Sequence, residues 1–149
     1  MNTVLMGDET YTVKKICVIE DNEKHMSLYI AILNTFADIE ICSETRGDTG
    51  LELIKNENPD LIILDINLPG LNGIEICKEL RQLDAFKETP IIAVTAFTIK
   101  GDQENIMGAG FTQYLSKPIR VMQFKEAVTK YLQVASKDAC SEPEDILRI

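Results

Sequence analysis

Residues 16–19, 61–64 and 91–94 are apolar at every position, and each run ends on a polar group: Glu20-Asp21, Asp65 and Thr95. A strand that is apolar on both faces has to be covered on both faces, which places these three runs at the centre of a parallel sheet flanked by helices. Asp65 is the most telling of the polar ends. It is followed by Asn67, Leu68, Pro69, Gly70 and Gly73, so the strand breaks at once and leaves the carboxylate on the rim of the sheet, where α/β proteins build their sites. Lys117, after Tyr114-Leu115, is delivered in the same way.

Between residue 15 and about residue 133, strand-length apolar runs alternate five times with segments of helical periodicity, the pattern of a parallel α/β fold. Residues 40–44 and 111–115 mix polar with apolar side chains, which suits the two edges of the sheet. The first helix is expected to start near Asn22, a good cap, with Met26, Tyr29, Ile30, Leu33 and Phe36 on its buried stripe. The second follows Asp48 and ends before Asn58-Pro59. The third starts after Gly73 and presents Ile76, Cys77, Leu80 and Leu83. The fourth, bracketed by Gly101, Gly108 and Gly110, has little apolar surface beyond Ile106 and Met107 and is expected to be the most mobile. The last begins near Val121 and buries Phe124, Val128, Tyr131 and Leu132. Residues 1–13 and 135–149 fall outside the pattern as an N-terminal extension and a solvated tail, with docking of Ile146, Leu147 and Ile149 as the alternative for the tail.

A chain of 149 residues with 45% hydrophobic content supports one domain with a real core. Its net charge of -9 argues against nucleic acid or an anionic membrane as partner and points to protein surfaces. No apolar run reaches membrane-spanning length, and the start of the chain does not read as a signal peptide. Cys17, Cys42, Cys77 and Cys140 form no close pair in sequence and are read as reduced cytosolic thiols, mostly filling the core; zinc or a disulfide is the less favoured alternative.

Placing the first and third runs side by side brings Glu20, Asp21 and Asp65 to adjacent strand ends, at the point where the crossovers diverge. Two carboxylates about 4 Å apart repel by roughly 4 kcal/mol at an effective dielectric near 20, so the cluster needs a cation or protons, and Lys117 supplies only one positive charge. A hard divalent ion, Mg²⁺ foremost, meets that need. The plainer reading is that Glu20 and Asp21 merely favour the start of the first helix through its dipole; that reading requires neither Asp65 nor Lys117. With the charge neutralised, Asp65 is a carboxylate nucleophile able to form an acyl phosphate, and Lys117, the Thr95 hydroxyl and turn N–H groups after Asp65 can face the phosphoryl oxygens.

Glu20-Asp21-Asn22, then Leu64-Asp65-Ile66-Asn67-Leu68-Pro69-Gly70-Leu71-Asn72-Gly73, Ala93-Val94-Thr95-Ala96 and Tyr114-Leu115-Ser116-Lys117-Pro118 occur in order. Over about residues 14–134 the chain thus resembles the receiver domain of two-component response regulators. The resemblance implies a flavodoxin-like, doubly wound sheet of five parallel strands in the order 2-1-3-4-5 with helices on both faces. It implies phosphorylation of Asp65 and a Mg²⁺ site, with Mn²⁺ as substitute, held by Glu20, Asp21, Asp65 and the backbone carbonyl of Asn67. Thr95 and Lys117 would contact the phosphoryl group, the Lys117–Pro118 bond would be cis, and the Tyr114 rotamer would follow Thr95. Glu20 stands where many receivers have an aspartate; its extra methylene can shift metal contact to a water.

The same resemblance implies a cytoplasmic signalling protein, monomeric or weakly dimeric, that catalyses only its own phosphorylation and dephosphorylation. The phosphoryl group would come from a histidine kinase or a histidine phosphotransfer protein, and a downstream protein target would read the face formed by the fourth helix, fifth strand and fifth helix. Phe97 and Ile99 would be contact residues there or pack locally. Residues 95–102 are similar both to stand-alone receivers of the DivK type and to receivers of hybrid kinases. The alternatives are an intermediate phosphate carrier in a phosphorelay or an adaptor that binds without phosphorylation. A dehalogenase-type phosphohydrolase is disfavoured because Asn67 occupies the place of its acid, and a flavodoxin-like cofactor binder because Glu20-Asp21-Asn22-Glu23 replaces a phosphate loop. His25, the only histidine, is read as solvated or capping.

Overall fold

The computed structural model describes residues 2–6, 9–96 and 100–132. In chain order these form β1 (Asn2–Met6), β2 (Glu9–Ile19), α1 (Glu23–Leu33), β3 (Ile39–Glu44), α2 (Gly47–Glu57), β4 (Leu61–Asp65), α3 (Gly73–Arg81), a 3₁₀ turn (Asp84–Phe86), β5 (Ile91–Thr95), α4 (Lys100–Gly108), β6 (Gln113–Ser116) and α5 (Val121–Leu132). Strands β3, β2, β4, β5 and β6 lie side by side in that order, all parallel. This is the flavodoxin-like order 2-1-3-4-5, counting only the parallel strands, and the mixed-polarity runs do form its edges.

The period of two along each strand divides the core into two layers. Ile16, Val18, Leu61, Ile63, Ile92 and Val94 pack with α1 and α5 through Tyr29, Leu33, Phe124 and Val128. The alternating residues Cys17, Ile19, Ile62, Leu64, Ile91 and Ala93 pack with α2, α3 and α4 through Ile54, Ile76, Leu80 and Ile106.

Four features differ from the sequence reading. β2 is longer than its apolar run: residues 9–13 pair antiparallel with β1, so part of the N-terminal extension is a hairpin arm on the sheet's second-in-line strand. α1 ends at Leu33, and Phe36 is buried from beyond its cap rather than from the helix stripe. Leu83, expected on the buried face of α3, lies past the helix end and is exposed; the 3₁₀ turn that follows brings Phe86 into the core in its stead. Cys17 and Cys42, read as reduced thiols, are paired as a disulfide. The cause is register: the two are direct partners on neighbouring strands, with Cα atoms 4.8 Å apart, a relation that spacing along the chain does not reveal. Cys77 is buried and free. Phe97, Ile99, Cys140, Ile146, Leu147 and Ile149 lie outside the described residues.

Arg81 ties the lower half of the molecule together. Its guanidinium donates to the carbonyls of Gly110 (2.9 Å), Phe86 (2.7 Å) and Thr89 (2.7 Å), and the Thr112 hydroxyl it also approaches accepts from the Ile91 N–H at 3.0 Å. Gly110, at φ +110°, makes room for it: a side chain there would meet the Arg81 stem at 2.8 Å. Charge-assisted bonds to three carbonyls are expensive to lose, so Arg81→Met should destabilise the fold by about 2 to 3 kcal/mol, read as a lower urea midpoint with unchanged slope.

Candidate functional site

The register of β2 on β4 pairs Ile19 with Leu64, so the residues that come next, Glu20 and Asp65, emerge side by side at the carboxyl ends of the two central strands. Both continue the parity of residues facing α1 and α5. Carboxylate oxygens of Glu20, Asp21 and Asp65 lie within 4.8 Å of one another; Glu20 and Asp65 are buried, at 1% and 4% exposure, and Asp21 is exposed.

Local structure holds each acid. Glu20 Oε2 accepts from the Asn22 N–H (3.0 Å), while the Asn22 side chain caps α1 by accepting from the His25 N–H (3.0 Å). Asp65 Oδ1 accepts from the Asn67 N–H (3.2 Å), which curls the exposed turn back over the strand end. Gly73 lets α3 begin against that end, because a side chain there would overlap the Asp65 carbonyl. The Lys117 ammonium is 3.3 Å from Glu20 Oε1 and 3.3 Å from Asp65 Oδ2. Burial first, and then the charge of Glu20, pushes the Asp65 carboxyl up to about 7, against the opposing pull of Lys117.

Thr95 ends β5, fully buried, and its carbonyl accepts from the Lys117 N–H (2.8 Å), which fastens the segment carrying the ammonium to the central sheet. Tyr114 is the register partner of Ala93, so it shares the α2–α4 face with Thr95. The Lys117–Pro118 peptide is cis. The structure therefore brings Glu20, Asp21, Asp65 and Lys117 into one cluster, with Thr95 on the adjoining strand end and Asn67 on the turn above β4.

Two neighbours escaped the sequence reading. His25, read as solvated or capping, gives its N–H to the capping Asn22 side chain, and its ring Nδ1 is buried 3.7 Å from Glu20 Oε2. Tyr29, legible only as part of the buried helix stripe, carries its hydroxyl into the same region. Periodicity identifies a buried residue; it is silent on where the polar end of that residue arrives.

The cluster suits a hard cation. Three oxygen donors converge, the Glu20 Oε1 atom closes no hydrogen bond, and one ammonium serves the two buried acids.

Residues 16–129 match the family described as response regulator receiver domain. The polar-differentiation response regulator DivK of Brucella anthropi is 40% identical over 119 residues, covering 80% of this chain and 96% of that protein. Among solved structures, the receiver domain of a sensor histidine kinase from Pseudomonas aeruginosa, with a magnesium ion coordinated in its active-site cleft, superposes with a TM-score of 0.74 at 26% identity; 82% of this chain and 99% of that one are covered. The BeF3-activated N-terminal receiver domain of RstA from Klebsiella pneumoniae gives 0.72 at 30% identity, covering 79% and 97%.

The raised Asp65 carboxyl makes a pH prediction with a definite sign. The folded chain binds this proton more tightly than the unfolded one, so the group favours folding below its ordinary value of 3.8, and that contribution is lost as pH climbs through about 7. In metal-free protein at pH 8, Asp65→Asn should therefore be more stable than wild type, by on the order of 1 to 3 kcal/mol, with the difference closing below about pH 4. Urea unfolding across pH measures it.

Proposed function

The chain belongs to the response regulator receiver family, and from that membership we propose that it is a signalling switch that takes a phosphoryl group from a phosphohistidine protein onto Asp65. The observation that carries this reading is the convergence of Glu20, Asp21, Asp65 and Lys117 on one pocket at the ends of β2, β4 and β6. A magnesium ion, as described for the kinase receiver from Pseudomonas aeruginosa, would be held by Glu20, Asp21, Asp65 and the Asn67 carbonyl, and would supply charge neutralisation for the phosphoryl oxygens.

The chain's own residues do the rest. Asp65, held by the Asn67 N–H, attacks phosphorus in line with the leaving imidazole; the P–N bond breaks, the P–O bond forms, and the electron pair stays on the histidine nitrogen. Lys117, already 3.3 Å from Asp65, neutralises a phosphoryl oxygen, and the Thr95 hydroxyl donates to another.

The product adds about -1.5 to -2 charges at Asp65, worth interactions of order 1 to 3 kcal/mol with placed donors, sufficient to tilt a close equilibrium. Thr95 moves toward the phosphoryl group and Tyr114 into the space it leaves. That changes the face built by α4, β6 and α5, where a groove lined by Tyr114, Ser116, Arg120, Gln123, Glu126 and Lys130 lies open to a downstream protein. The working compartment under this reading is the cytoplasm, where the kinase and phosphotransfer partners act. No helix among the described residues is long and apolar enough to cross a membrane.

A small phosphodonor with Mg²⁺ should add the mass of one phosphoryl group to the wild-type chain and none to Asp65→Asn, and Lys117→Ala should slow the uptake at least tenfold. Partner binding that depends on phosphate in Asp65→Asn as it does in wild type would refute the scheme.

A further inference from the structure

Resting on that reading of the site, we propose that Tyr29 is a positioning residue for Glu20: its hydroxyl becomes the donor to the Glu20 carboxylate in the metal-loaded state, when the bound cation displaces Lys117 from that acid. Tyr29 is 1% exposed, and its hydroxyl oxygen makes no hydrogen bond, although the ring is otherwise fully packed. Buried hydroxyls are normally paired, so one left over beside a functional cluster calls for a partner in another state of the protein.

The partner is at hand. The Tyr29 ring stacks with His25, whose Nδ1 lies 3.7 Å from Glu20 Oε2, which sets the phenol on the side of α1 that faces this acid, and a phenol O–H can only donate toward a carboxylate. Glu20 Oε1 is likewise without a hydrogen bond; it has only the ion pair to Lys117 at 3.3 Å, which that lysine shares with Asp65. The groups facing Glu20 from all sides are thus Lys117, the Asn22 N–H, the His25 ring, Asp65 and the Tyr29 hydroxyl. When a bound cation displaces Lys117 from this acid, Tyr29 is the neutral donor that keeps Glu20 aimed.

The phenol ring is fixed for this task. It stacks on Phe124 of α5 at 5.4 Å between centroids and 16° between planes, and its edge of α1 also carries His25, with ring centroids 6.3 Å apart. A hydrogen-bonded partner of a metal-ligating carboxylate typically tunes affinity about 10- to 100-fold. A glutamate, longer by one methylene than an aspartate, has more torsional freedom for such a donor to remove.

Tyr29→Phe deletes only the oxygen. Calorimetric Mg²⁺ titration should show affinity about tenfold weaker than wild type, while the melting temperature of the metal-free variant is equal or higher, since an unpaired buried hydroxyl is gone. In fluorotyrosine-labelled wild type, the resonance absent from Tyr29→Phe should shift on Mg²⁺ and beryllofluoride addition. Equal Mg²⁺ affinity in the two proteins, or weaker binding accompanied by a lower metal-free melting temperature and an unmoved Tyr29 resonance, overturns the role of Tyr29. Wild-type protein that takes up no Mg²⁺ would instead refute the receiver chemistry beneath it.

Discussion

The mutual repulsion of Glu20 and Asp65 is the constraint around which the upper edge of this molecule is organised. Two buried acids at adjacent strand ends are unfavourable in any apolar setting, and the fold keeps them there because the β2–β4 register leaves them nowhere else to go. Every feature nearby answers that repulsion: the N–H groups of Asn22 and Asn67, the Lys117 ammonium between the two acids, and a proton affinity at Asp65 raised by burial. A site held in electrostatic tension favours the uptake of cationic charge.

That tension is connected to the rest of the fold through few links. The Thr95 carbonyl holds the Lys117 backbone, so the ammonium is carried by the same strand edge that presents Tyr114 and the groove along α5. On the opposite face of the sheet, Tyr29 joins the acids to α5 through its stack on Phe124. The acid cluster is thus joined to the β6–α5 surface by packing on both sides of the sheet.

Much of this was legible from the chain. Uninterrupted apolar runs identify β4 and β5 as central because burial on two faces demands it, and the polar residue ending each run is placed by the end of the strand itself. Helix positions followed from caps and periodicity: Asn22 and Asn58 bound their helices where their chemistry predicts, while α3 is capped by Asn72 and begins at Gly73 rather than after it. The misses share a cause. Leu83 fits a helical stripe but the helix stops two residues earlier, and the Cys17–Cys42 pair depends on strand register.

Sequence by itself determined the fold class, the order of its elements and which acids and lysine reach the rim, because those follow from burial and from where strands end. Tertiary structure alone decided the distances and pairings: how Lys117 is shared, where the hydroxyl of Tyr29 ends, which cysteines meet. Those depend on register and on helix docking angles, which arise from packing between segments distant in the chain and leave no local trace in any one of them.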